Sequence, residues 1–255
     1  MSGPLALAGK AAIVTGAGQG IGRGIALALG RAGSAVAVVD VNEVTAASVA
    51  TELRGLGVDA VAVTGDVSRV DHVDAAVATT IRSFGRIDVL VNNAQAVRAG
   101  IPFEQTTDDD LTATLGSGTW GTFYFMRACF EQLRQWHGRV VNIASSSGTH
   151  GRPGHAAYAA AKEAIRGLSK VAANEWGVHG ITVNVICPNA LTPAGERFAR
   201  EHPEAAQASM MQRAIRRHGD AEADVGATVV FLAGPGAGFI TGQTLMVNGG
   251  GVTVP

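Results

Sequence analysis

Short apolar runs rich in valine and isoleucine recur along the whole chain, spaced so that one helix fits between each and the next. They are "AAIVTG" at 11–16, "AVAVVD" at 35–40, "DAVAVTGD" at 59–66, "IDVLVNNA" at 87–94, "RVVNIASS" at 139–146, "ITVNVICP" at 181–188 and "TLMVNGG" at 244–250. Runs this short, without a polar face and closed by turn residues, suit strands covered on both sides. Helical stretches are expected between them near 20–32, 43–56, 70–84, 108–136, 156–178 and 222–233. Strict strand–helix alternation gives parallel neighbours, because each helix carries the chain back to the same edge. The expected class is therefore α/β, a doubly wound, seven-stranded parallel sheet with helices on both faces.

No linker or low-complexity segment breaks the series, so residues 1–255 are expected to form one domain with a sizeable core. The chain is 47% hydrophobic and 16% charged, with 34 glycines, which fits a sheet buried on both faces and excludes a disordered or fibrous chain. A net charge of −1 without a basic run excludes a dedicated nucleic-acid binder. Cys129 and Cys187 lie far apart and have no metal-ligand spacing, so they read as reduced thiols and no metal site is expected. The stretch "MSGPLALAGK" lacks a basic leader region, and no apolar run is long enough to span a bilayer; a soluble cytoplasmic protein with no membrane partner is expected. One segment departs from the alternation. Residues 190–219 are polar and follow a strand end on the side where open α/β sheets bind ligands, so they are expected to form a lid over a substrate pocket.

The first strand runs into "TGAGQGIGRGIALAL", a glycine-rich turn that opens an apolar helix. Glycines there allow a tight turn and a close approach of backbone N–H groups to a pyrophosphate, aided by the helix dipole. The spacing, set by Thr15, Gly16, Gly20 and Gly22, is T-G-x-x-x-G-x-G rather than G-x-G-x-x-G. Asp40 closes the second strand, where a carboxylate accepts from adenosine ribose hydroxyls and repels a 2′-phosphate; NAD is the expected cofactor, ahead of NADP. Asp66, followed by Val67, ends the third strand and is placed either to meet the adenine amino group or to act as a turn residue.

In "HAAYAAAKEA", Tyr158 and Lys162 stand four residues apart on an alanine-rich helical stretch and so share a face. Taken with "TGAGQGIG", "DV" at 66–67, "NNA" at 92–94, "SSSG" at 145–148 and "FITGQTLMVNGG", this pair makes the whole chain resemble the short-chain dehydrogenase/reductase family. The resemblance implies a single Rossmann-type domain, a nicotinamide dinucleotide and hydride exchange at a carbinol or carbonyl carbon. It makes Ser145, Tyr158 and Lys162 the catalytic residues, with Tyr158 as general acid/base. It assigns cofactor contacts to Thr15, Gly16, Gln19, Gly20, Ile21, Gly22, Asn93, Ala94, Pro188 and Thr192, besides Asp40, Asp66, Val67, Tyr158 and Lys162. A homotetramer, or a homodimer, is also implied. Physics supports the tyrosine's role: lowering a phenol by about three pKa units takes roughly 4 kcal/mol of preference for the phenolate, which a cationic lysine beside it can supply.

Three positions depart from the family pattern. Gln95 stands where a glycine is usual after "NNA", Gly118 where an asparagine is usual, and Asn189 where a glycine is usual after Pro188. Loss of the side chain at 118 is expected to disturb a relay to Lys162 and local helix regularity. His150 and His155 read as polar loop residues, and Trp120, Trp136 and Trp176 as packing or interface residues. The expected function is hydride transfer between NAD(H) and a secondary alcohol or its ketone, a small-molecule substrate. The alternatives are a dihydrodiol-type dehydrogenase and a non-catalytic NAD(H)-binding sensor or interaction protein, the latter motivated by Gly118.

Overall fold

In a computed structural model, described here over residues 5–253, the seven runs form one sheet in the order β3-β2-β1-β4-β5-β6-β7. The strands are β1 (Ala11–Thr15), β2 (Ala35–Asp40), β3 (Ala60–Thr64), β4 (Val89–Asn92), β5 (Arg139–Ile143), β6 (Thr182–Pro188) and β7 (Thr244–Val247). Every neighbouring pair is parallel, with register such as Ile13 opposite Ala37 and Leu90. β1, β2, β4 and β5 are buried almost throughout, as strands covered by helices on both faces must be.

Two apolar layers sandwich the sheet. One packs α1 (Gly20–Arg31), α2 (Glu43–Gly55) and the C-terminal helix against Val14, Val36, Val38, Val89 and Val91. The other packs α3 (Val70–Phe84) and later helices against Ile13, Val39, Leu90, Val140 and Val183. Odd and even strand positions thus serve opposite layers, the period-two consequence of the pleat. Strand order reverses between β1 and β4, so a crevice opens above their carboxyl ends.

The strands are shorter than the apolar runs at 59–66, 87–94, 139–146 and 244–250: residues after the strands leave the ladder to form loops at the carboxyl edge, and Asp59, Ile87 and Asp88 precede β3 and β4 at the amino edge. The continuous helix expected over 108–136 is three pieces: α4 (Asp108–Leu115), a wider π-type turn (Gly116–Trp120) and α5 (Gly121–Trp136). α4 begins with a capping box in which Thr107 and Asp110 satisfy each other's backbone N–H groups. After β5 come α6 (Ser146–His150), a one-turn helix not anticipated from the sequence, and α7 (Ala156–Trp176). The 190–219 segment folds as α8 (Pro193–Glu201) and α9 (Pro203–Met211). A second π-type turn (Ala221–Gly226) leads into α10 (Ala227–Ala233), so the helix expected over 222–233 is likewise divided. Among the described residues, no helix is long and apolar enough to cross a membrane.

Candidate active site

The glycine-rich turn is held in place by its neighbours' backbones. Gly16 and Gly20 take left-handed φ values of 62° and 55°, which favour glycine. A β-carbon at Gly22 would collide with the Gly16 carbonyl oxygen, and one at Gly16 would stand 2.8 Å from the Ala94 Cα. The turn is therefore closed against the end of β4. Asn93 donates from Nδ2 to the carbonyls of Thr15 at 3.0 Å and Gly16 at 3.1 Å. Thr15 Oγ1 accepts from the Asn93 and Ala94 N–H groups at 3.0 and 3.1 Å. Thr15, Asn93 and Ala94 thus zip the ends of β1 and β4 together at the switch point.

Asp40 projects from the end of β2 into the same turn. Its Oδ2 accepts from the Gly18 N–H at 2.8 Å and its Oδ1 from the Asn42 N–H at 3.0 Å. These bonds fix the carboxylate plane and leave lone pairs on both oxygens facing a cavity of about 920 Å³. Gly16, Gln19, Asp40, Asp66, Val67 and Asn93 line that cavity. Asp66 forms the turn that one of its sequence readings expects, Oδ1 accepting from Ser68 N at 2.9 Å and Ser68 Oγ at 2.7 Å, and the residue also lines the cavity. The backbone cradle, the anchored carboxylate and the volume fit a dinucleotide.

Ser145, Tyr158 and Lys162, the residues expected to be catalytic, gather near the carboxyl end of β5. Ser145 caps α6, its Oγ accepting from Ser147 N at 3.1 Å. Tyr158 and Lys162 lie one turn apart on α7, with the lysine Nζ 5.6 Å from the centre of the tyrosine ring. Lys162 is 2% exposed and donates to the Ile143 carbonyl at 2.7 Å, with no carboxylate beside it. Burial draws its ammonium down to about 7, partly offset by the nearby Cys187 sulfur. Burial also pushes the Tyr158 phenol up, while the Ser145 hydroxyl pulls it back down. Desolvation thus disfavours the charged form of both groups, a direction opposite to the expected phenolate–ammonium arrangement.

The remaining predicted residues are placed unevenly. Thr192 is adjacent to the glycine turn: a β-carbon at Gly20 would stand 3.6 Å from its methyl group. Its hydroxyl caps α8 by accepting from Gly195 N at 3.2 Å. Pro188 ends β6 opposite Val247 of β7. His155 presents its ring edge-on to Tyr158 with centres 6.1 Å apart, whereas His150 turns to Thr149. Trp176 packs on Phe130 and Trp136 lies under the Arg86 guanidinium, but Trp120 is half-exposed, stacks on Tyr124 and lines the large cavity. Buried Cys129 and Cys187 are free thiols, their pKa values pushed up to about 12 and about 11 by desolvation.

Sequence reasoning missed a buried amide chain beneath the site. Asn92 donates to Asn142 at 2.8 Å, and Asn142 donates to Ser169 of α7 at 2.8 Å, tying β4, β5 and α7 together below Lys162. The signal available was an asparagine closing the apolar run of β4 and another between the valines and the isoleucine of β5.

The family model described as enoyl-(acyl carrier protein) reductase matches residues 16–252. A 12alpha-hydroxysteroid dehydrogenase of a Clostridium species is 43% identical over 249 residues, covering 95% of this chain and 96% of the relative. A 3-oxoacyl-[acyl-carrier-protein] reductase of Staphylococcus aureus is 38% identical over 246 residues, covering 94% and 97%. The solved structure of an NAD+-bound xylitol dehydrogenase superposes with a TM-score of 0.89 at 33% identity, covering 96% of this chain and 99% of that one. These relatives are oxidoreductases that match end to end, and the sheet order and the Ser145, Tyr158 and Lys162 cluster lie within the matched span. The chain belongs to the short-chain dehydrogenase/reductase family.

Proposed function

We propose that the protein transfers hydride between NAD(H) and a secondary alcohol or its ketone, with Tyr158 as general acid/base. The observation that carries this reading is the convergence of Ser145, Tyr158 and buried Lys162 after β5, at the same carboxyl edge of the sheet as the glycine-rich turn and a cavity that fits a dinucleotide. Bound there, the nicotinamide would accept or donate the hydride. Gly16, Gly20 and Gly22 would bring backbone N–H groups to its pyrophosphate, and Asp40 would accept from its adenosine ribose hydroxyls, which disfavours a 2′-phosphate.

Ser145 Oγ holds the substrate oxygen by a hydrogen bond and keeps it near the Tyr158 hydroxyl. In alcohol oxidation Tyr158 removes the hydroxyl proton, and in ketone reduction it returns one to the same oxygen. Lys162, when protonated, favours the phenolate electrostatically; burial holds the lysine near neutrality in pKa, so small changes in its surroundings switch its charge. The narrow Tyr158–Lys162 spacing supports carbinol chemistry over enoyl reduction, whose family members usually carry a wider separation.

The segment joining Leu191 to Gly219 is proposed as the substrate lid. It is pinned at its base by Ala190 paired with Gly219 and by the Leu191 N–H bonded to the Gly219 carbonyl at 2.9 Å. A homotetramer or homodimer is proposed from the family, and the exposed Trp120, Phe123 and Phe239 are compatible with buried subunit contacts.

The test is NADH formation from a panel of secondary alcohols, hydroxysteroids included, by wild type and Tyr158→Phe. Turnover by wild type with a loss of about a thousandfold in Tyr158→Phe is expected. Equal inactivity of both while NADH still binds would contradict the reading and favour a sensor. In the same assay Asp40→Ala is expected to shift the NAD+/NADP+ preference about tenfold toward NADP+; an unchanged ratio would show that Asp40 is not the selector.

A further inference from the structure

Two of the three departures from the family pattern touch each other. A β-carbon at Gly118 would collide with Gln95 Oε1 and stand 2.9 Å from both its Cδ and its Nε2. The Gln95 carboxamide therefore fills the volume that any side chain at position 118 would need. Gly118 is buried within the π-type turn Gly116–Trp120, where wider winding displaces the usual helical hydrogen bonds and frees carbonyls. The Thr114 carbonyl, in the last turn of α4 just before the π-type turn, accepts from Gln95 Nε2 at 2.9 Å. The second Nε2 proton goes to the Ala96 carbonyl at 2.9 Å, which fixes the amide plane. Oε1 is left buried and, among the described residues, without a donor. An unpaired buried acceptor is destabilising by itself, so stability alone does not account for glutamine here.

The turn leads on to the catalytic helix. Thr119, next to Gly118, donates to the carbonyl of Ala161 in α7 at 3.3 Å. Ala161 directly precedes Lys162, whose Nζ donates to the Ile143 carbonyl. A continuous path of contacts thus runs from the loop after β4, through the π-type turn, to the backbone that carries the lysine.

We propose that Gln95 is a positioning residue for Lys162. Its carboxamide holds the π-type turn open against α7 from the β4 side, in place of a side chain at position 118, and Gln95 and Gly118 work only as a pair. The proposal rests on the function given above, since it places Lys162 in the reaction.

A double-mutant cycle of wild type, Gln95→Gly, Gly118→Asn and the double variant tests it, read by Tm, by NADH affinity from fluorescence and by kcat and KM. Each single variant is expected to lose about tenfold or more in kcat, with substrate KM within about twofold of wild type. The double variant is expected to return to within about threefold of wild-type kcat, because the asparagine then enters the space the glutamine has left. Two results would overturn the proposal: single losses that multiply in the double variant, or coupling in Tm while kcat and NADH affinity of the singles stay at wild-type values, which would leave Gln95 a packing residue. If Gly118→Asn does not fold, Gly118→Ala takes its corner of the cycle, since the β-carbon alone reaches the carboxamide. Wild type without turnover on any alcohol contradicts the proposed function instead, and the cycle is then decided on NADH affinity, where the same non-multiplicative losses are expected.

Discussion

At the glycine-rich turn the constraints fall on the backbone, whereas the 190–219 insertion is held by the Ala190–Gly219 pairing and by its last quarter, where Arg213 is buried and the Ile215 N–H bonds to the Gly249 carbonyl. Gly16, Gly18 and Gly22 are each closed in by atoms that a β-carbon would strike, and Thr15 and Asn93 bond the turn to β4. Across the cleft, the described side chains of α8 are exposed or half-buried, with Phe198 50% exposed and resting on His202. One side of the crevice is rigid, as the proposed function requires of a turn that meets a cofactor with main-chain atoms. The other side is loosely packed, as suits the proposed substrate lid.

That contrast breaks most sharply at Gly22. Gly22→Ala is expected to cost roughly 3 kcal/mol, because its methyl group meets the Gly16 carbonyl rather than a side chain that could move. Chemical denaturation would show it as a lower midpoint, together with loss of NADH binding; an unchanged midpoint would mean that the turn is slack. A middle-sized effect of opposite sign is expected at Lys162. Its native pKa is drawn down to about 7 from the ordinary lysine value, so unfolding takes up a proton and stability falls as pH drops from the unfolded pKa toward the folded one. Lys162→Met is therefore expected to be more stable than wild type by about 2 kcal/mol at about pH 6, with the gain shrinking as pH rises toward 10, while turnover is lost. Melting curves of the cofactor-free proteins at both pH values check the sign, and a gain that grows with pH would refute it. The smallest effect belongs to the insertion: Phe198→Ala is expected to leave stability within about 0.5 kcal/mol of wild type and to change substrate KM several-fold. A stability loss comparable to that at Gly22 would erase the distinction between the two sides.

The same contrast decides what was legible in the sequence. The turn at Thr15–Gly22 could be read because a backbone requirement leaves glycines at fixed spacing, and the strands because burial on both faces leaves unbroken valine and isoleucine runs. Tyr158, Lys162 and Ser145 were recognised through family motifs, and the structure places them together. The break at Gly116–Trp120 was legible only as the loss of helix regularity expected at Gly118; its form was not, since the helical pattern continues through 108–136 and the partner that occupies the turn, Gln95, lies on another element. The one-turn helix after Ser145 escaped notice because five residues carry no period, although a serine cap opens it. The chain of Asn92, Asn142 and Ser169 was hidden for the reason that Gln95 was: its meaning lies in contacts between distant segments.

Hydride transfer to the cofactor is most directly followed with a secondary alcohol deuterated at its carbinol carbon. After incubation with NAD+ and wild-type enzyme, the reduced cofactor is analysed by mass spectrometry and NMR. The proposed function predicts reduced nicotinamide carrying one deuterium at C4, on one face only, with no transfer in Tyr158→Phe over the same interval. Reduced cofactor without deuterium, or equal transfer by Tyr158→Phe, would contradict it.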